Sequence, residues 1–310
     1  MKARTSLTPV DLAWIVAVVA FWGFSFVPIR VALNEVPPFA LAALRFFFAA
    51  VPALFFVRKP AMPWRDVAAY GLAIGLFQFG LLFLGIKLGM PVGLASLVIQ
   101  VQVFFTIALA VLVTGDRLTR ASIAGAAIAV VGIVALAGYK LLQGMSSTLL
   151  GFALVIVAGF AWACGNIVAR NAASKYKADM LSLVVWSSLV PPLPLALLSY
   201  TLEGGNAMIA SVVNASWLMW GCVFLMAWGA TLFGFGSWAA LLHRYPVGLV
   251  APFGLLIPVS GLICGAVFLG ERLHAVQWLG VAIVLAGLVV NVFGARWFAA
   301  LRTPPAATSR

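Results

Sequence analysis

Residues 91–94 read Pro91-Val92-Gly93-Leu94, and 155 positions later the chain repeats them as Pro246-Val247-Gly248-Leu249. A second phrase behaves the same way: Gly115-Asp116-Arg117-Leu118 returns as Gly270-Glu271-Arg272-Leu273. Gly125 and Gly132 return as Gly280 and Gly287, while Trp22 and Arg30 find Trp162 and Arg170 at the shorter offset of 140. About fifteen extra residues near 204–217 account for the difference. The chain is thus an internal duplication. In a membrane protein a duplicated unit points to a transporter, because two similar halves can rock around a shared central site.

Composition supplies the membrane. Of 310 residues, 65% are hydrophobic and 8% charged, against roughly a quarter charged in soluble domains. Charge is confined to short runs between apolar blocks, and one span needs about 20 apolar residues. Ten such blocks are present, at 12–29, 37–57, 67–86, 88–115, 121–139, 149–169, 180–202, 217–242, 245–270 and 275–295. Arg45 is the single charge inside any of them. The eighth block closes a charge-free run, 204–242, whose first part (Gly204, Asn206, Ser211, Asn214) is polar and reads as a loop or interfacial turn. The expectation is an all-α integral membrane protein of ten transmembrane helices. Its two repeats span 10–139 and 149–296, with a tail at 297–310.

The net charge of +12 follows the membrane and gives no reason to expect nucleic acid. With a cytoplasmic N-terminus, 14 of the 19 lysines and arginines fall on the inner side, which is the positive-inside rule and predicts both termini in the cytoplasm. Five helices per half is an odd number, so the second half is expected to insert upside down, as an inverted repeat. The first block lacks a small-residue exit site and reads as a retained helix, leaving membrane lipids as the surroundings.

The absences narrow the chemistry. All seven acidic residues and both histidines sit at block ends or in loops, so no membrane-depth acid or imidazole is available as a proton relay. There is no phosphate-cradling Gly-Lys-Ser/Thr loop. Cys164, Cys222 and Cys264 are isolated, without metal spacing or a disulfide framework. No catalytic residue, cofactor or metal is expected.

At depth the polar residues are neutral. They are Ser96, Gln100, Gln102 and Thr106 in the fourth block, Gln78 in the third, Ser25 beside Trp22, and Asn166 beside Trp162. Amides are costly to desolvate and should face the bundle interior or a wet cavity. Trp22, Gln78, Gln100, Gln102, Trp162, Asn166 and Trp238 are therefore expected to line a site for a small polar or zwitterionic solute. The competing reading is hydrogen bonding that only holds helices together. Arg45 is expected to be structural, tied to backbone carbonyls or snorkelling. Pro252 and Pro258 predict a kink in the ninth helix. Asp116 and Glu271 read as hinge residues on opposite membrane faces, each a carboxylate beginning a helix, with a proton carrier as the second reading for Glu271.

These residues resemble the drug/metabolite transporter superfamily in its ten-helix EamA type. The likeness covers about residues 10–296 and is carried by Trp22-Gly23, Leu44-Arg45-Phe46, the Pro258 helix and the two Gly-Asp/Glu-Arg-Leu turns. Within it the chain is similar to the bacterial exporters of cysteine and O-acetylserine. That narrower likeness rests on Gly89-Met90-Pro91, on Gln100 and Gln102 ahead of Phe104-Phe105-Thr106, on Trp162-Ala163-Cys164-Gly165-Asn166, and on Asn291-Val292-Phe293-Gly294. Val103 stands where the superfamily usually has proline, a departure those exporters share. The resemblance implies a central cavity, alternating access and export of amino acids or related metabolites from the bacterial inner membrane. It also implies proton coupling, for which the residues offer no buried acid. A broader exporter of aromatic or drug-like solutes and a non-coupled facilitator of the same fold stay open. A membrane enzyme would need an interfacial catalytic cluster, and none is found.

Overall fold

The computed structural model describes residues 7–114, 119–142, 146–245 and 250–300. Asp116, with the phrases at 115–118 and 246–249, lies outside the described residues. Among the described residues there is no strand, and ten helices are long and apolar enough to cross a membrane. Spans 1 to 5 are Pro9–Ala32, Pro38–Phe55, Trp64–Lys87, Val92–Val113 and Arg120–Tyr139. Spans 6 to 10 are Thr148–Tyr176, Met180–Leu202, Trp217–Leu241, Pro252–Leu269 and Ala275–Gly294. The segment before span 8 is a short helix, Gly205–Val213, with no buried residue, where a loop or turn was expected. It starts behind Gly204, whose φ of 89° suits a residue without a Cβ.

Local chemistry marks the helix starts. Thr8, Asp179 and Ser216 each accept a hydrogen bond from the backbone N–H three residues on, satisfying donors that a helix start leaves unpaired. Spans 5, 6 and 10 then run without a break, over Arg120–Leu142, Ser146–Tyr176 and Ala275–Ala300. Most of the others lose regular α-geometry part-way. Span 1 turns at Ser25, spans 3 and 8 widen to π-turns over Leu72–Phe79 and Leu225–Phe233, and spans 4 and 9 tighten to 3₁₀ turns over Ile99–Val101 and Ala251–Leu255. Span 7 is interrupted between Ser187 and Pro192.

Spans 5 and 10 meet glycine to glycine. A Cβ placed on Gly125 would lie 2.6 Å from the carbonyl oxygen of Gly287, and one on Gly132 would lie 2.8 Å from that of Gly280. Because Gly280 and Gly287 are the repeats of Gly125 and Gly132, the pairing is crosswise, and the two helices run antiparallel. Small residues permit this backbone approach, and close packing replaces the hydrophobic drive that lipid does not provide between helices.

The three glutamates link the two halves at one end of the bundle. Glu35, after span 1, accepts from the backbone N–H of Ser216 (2.7 Å) and from its hydroxyl (2.6 Å) at the start of span 8. Glu203, after span 7, accepts from the N–H of Phe39 in the first turn of span 2 at 3.1 Å. Glu271, after span 9, accepts from Val92 and Gly93 at the start of span 4. Each clasp joins the first half of the chain to the second, and each places a carboxylate at the positive end of a helix. At the other end Asp11 accepts from Tyr245 (2.6 Å) and pairs with Arg244 at 3.2 Å. Span 4 records the asymmetry: every residue of Val92–Val98 is buried, whereas none from 101 to 109 is.

Candidate functional site

A cavity of about 90 Å³ lies where the breaks converge. Trp22, Ser25, Arg45, Gln78, Gln100 and Trp162, all near the middle of their spans, share its wall with apolar groups including Phe26, Phe79 and Phe235.

Trp22 sits one turn before the bend at Ser25, whose hydroxyl donates back to the Trp22 carbonyl at 2.6 Å. Its indole Nε1 donates to the Ala230 carbonyl at 2.8 Å, inside the π-turn of span 8. A π-turn disturbs the regular ladder, and here the indole engages one of its carbonyls, bolting span 1 to span 8. Trp238 stands behind Trp22, ring centroids 5.3 Å apart, and is not part of the cavity wall.

Gln100 lies in the 3₁₀ turn of span 4 and donates from Nε2 to the Gly254 carbonyl at 3.4 Å. The reason is local. Pro258 has no N–H to offer Gly254 four residues back, so that carbonyl takes the Leu256 N–H of the 3₁₀ turn and, from span 4, the Gln100 amide. The prolines of span 9 accordingly coincide with its irregular start, Pro252 within the 3₁₀ turn and Pro258 in the first turn of the α-helix Leu256–Leu269. Gln78, on the π-turn of span 3, is 3% exposed. Its amide makes no hydrogen bond among the described residues.

Gln102 and Asn166 are off the cavity. Asn166 Nδ2 donates to Gln102 Oε1 at 2.7 Å and to the Thr106 hydroxyl at 3.0 Å, and Thr106 donates on to the Gln102 carbonyl at 2.6 Å. This closed set fastens span 4 to span 6. Glu271 lies at the bundle end, both carboxylate oxygens engaged by backbone N–H groups at 2.6 and 2.9 Å.

Arg45 departs from the expected pattern. It neither bonds a backbone carbonyl nor reaches the surface, being 3% exposed. Its Nη2 donates to Thr231 Oγ1 at 3.1 Å, and its guanidinium carbon lies 3.9 Å from the Phe79 ring centroid. Among the described residues no carboxylate pairs with it. The cavity wall therefore combines one cation, two amides, the Ser25 hydroxyl and aromatic faces. Phe79, Ile99 and Phe235 were not expected at the wall, and nothing distinguishes them in sequence from the other apolar residues of their spans.

The chain belongs to the EamA-like transporter family, whose model matches residues 11–138 and again 149–293. It is 44% identical over 286 residues to a "Probable amino-acid metabolite efflux pump" of Escherichia coli, covering 92% of this chain and 95% of that one. A protein of the same description in Salmonella typhimurium is 45% identical over 280 residues, covering 90% and 93%. One solved crystal structure aligns with 93% of this chain and 98% of its own at a TM-score of 0.62 and 20% identity, a likeness of fold. With ten spans and bacterial relatives of a transporter family, the protein is a multi-pass inner-membrane transporter and not an enzyme.

Proposed function

We propose that this chain exports small amino acids and their derivatives, cysteine and O-acetylserine foremost, by alternating access of two five-helix halves. The halves are 10–139 and 149–296, related by inversion, with both termini and the 297–310 tail in the cytoplasm. One observation carries the reading: spans 1, 3, 4 and 8 each abandon regular α-geometry at similar depth, and each break contributes Ser25, Gln78, Gln100 or Ala230 to the same cavity wall. Irregular backbone is tolerated at membrane depth where it is buried in protein or lines a cavity, and discontinuous helices form the substrate sites of many transporters.

Further features support it. The crosswise glycine pairing of spans 5 and 10 suits a two-fold relation between inverted halves. Three glutamate clasps join the halves at one end, the expected periplasmic face, and Asp11 joins them at the other, so movement between the halves would break one set or the other. The names of the relatives point to amino-acid metabolites as cargo. A cavity of about 90 Å³, far below the roughly 300 Å³ at which drug-sized pockets begin, favours small solutes over drug-like ones. In this reading Trp22, Gln78, Gln100 and Trp162 meet the substrate, while Gln102, Asn166 and Trp238 hold the wall in place. Glu271 acts as a clasp, so coupling to protons rests on the ionisation of the cargo or is absent.

Counterflow of radiolabelled cysteine and O-acetylserine in proteoliposomes tests the function. Exchange is expected with these amino acids and not with aromatic amines; the reverse preference would replace the assignment. Repeating it with pH gradient and membrane potential clamped separately decides the coupling.

A further inference from the structure

The cavity holds a cation whose hydrogen-bonding capacity is mostly unused. A guanidinium has five N–H donors, and inside a membrane bundle it is costly unless paired. Arg45 has one hydrogen bond, to Thr231, and aromatic faces at 3.9 Å (Phe79) and 5.9 Å (Phe46). Its Nε and Nη1, both buried, have no partner. The Arg65–Asp66 and Arg244–Asp11 ion pairs lie at the bundle ends. The unused donors belong to a residue that lines the cavity, beside Gln78, whose amide is also free.

A structural arginine would be expected to spend those donors on carbonyls. A lone cation with a planar fork of donors, in a space too small for a bulky ligand, fits a small monoanion with two oxygens. We infer that Arg45 binds the substrate's carboxylate, so that the cargo is restricted to small carboxylates. Amino acids enter as zwitterions with the ammonium toward the faces of Trp22 and Trp162, where an aromatic ring attracts a cation. Esters and decarboxylated amines are rejected because they leave the guanidinium unpaired. This inference rests on the export reading and sharpens it from metabolite to carboxylate.

The test is competition in proteoliposomes exchanging radiolabelled cysteine under reducing conditions, with cysteine, its methyl ester and cysteamine as competitors. For the unmodified protein, cysteine should compete about tenfold or more better than either analogue, as expected for loss of a charge-assisted bond. Arg45→Gln should abolish that preference, and Arg45→Lys, which keeps charge without the fork, should retain part of it. Equal competition by the methyl ester, or an Arg45→Gln protein that still prefers cysteine, overturns the assignment. If Arg45→Gln does not fold, the comparison in the unmodified protein alone decides. Binding read by tryptophan fluorescence separates the two levels. Absence of all amino-acid exchange removes the export reading, whereas ester and acid quenching alike removes only the role of Arg45.

Discussion

Glu271, in the turn after span 9, receives hydrogen bonds from the backbone N–H groups of Val92 at 2.6 Å and Gly93 at 2.9 Å. One carboxylate thus caps a helix from the other half of the chain and satisfies two of the donors that its start exposes. Glu271→Ala should lower unfolding free energy in detergent by about 2 kcal/mol, the usual value of hydrogen bonds to a charged group. Glu271→Gln, neutral but still able to accept, should lose about half as much. Thermal unfolding followed by circular dichroism measures both.

The two amide groups should separate in mutagenesis. Asn166→Ala and Gln102→Ala break the same interhelical set, so each should cost about 1 kcal/mol, and the double mutant little more than either alone. Gln78→Ala, with no bond in the protein to lose, should leave stability unchanged and weaken apparent substrate affinity. Unfolding midpoints and exchange kinetics on the same preparations check this.

Close approach of spans 5 and 10 predicts a sharp positional contrast. A side chain at Gly132 would meet the Gly280 carbonyl at 2.8 Å, whereas Gly138 on the same helix has nothing within 4 Å. Gly132→Leu should destabilise by at least about 2 kcal/mol through overpacking against backbone. Gly138→Leu should be close to neutral, and yield of monodisperse protein on gel filtration reports the difference.

Glu35 supplies a pH signature. The Ser216 hydroxyl, followed by the Ser216 backbone N–H, holds its carboxylate below the ordinary range. A depressed folded-state value means the contribution is present above the unfolded value of about 4.3 and disappears as pH falls through the lower folded value. The gap in melting temperature between the unmodified protein and Glu35→Gln should stay level from about pH 8 to about pH 5 and close below about pH 4. A gap that closes near neutrality would contradict it.

Much of the frame was legible. Span limits follow from where charge interrupts apolar runs, and span 8 was located at 217–242 against an observed Trp217–Leu241. The short helix Gly205–Val213 has no distinct signature, because its polar residues suit a turn equally well. Gln100 and Gln102 carried a usable signal: residues two apart on a helix point in different directions. One turns to Gly254 of span 9, the other to Asn166 of span 6. The π-turns left no such trace. Leu72–Phe79 and Leu225–Phe233 have the composition of any apolar run, and the Trp22 indole on the Ala230 carbonyl is a contact between helices that no local pattern announces.

Residue order alone determined the number of spans and the duplication, since these depend only on hydrophobic length and on spacing along the chain. Packing decided which polar groups share a cavity, which pair with one another, and that Arg45 stays short of partners. The cause is physical: helices apolar on nearly all sides carry no amphipathic face to orient them. Rotation about each axis is set by contacts with neighbouring helices, such as Gly125 on Gly287 and Trp22 on Ala230.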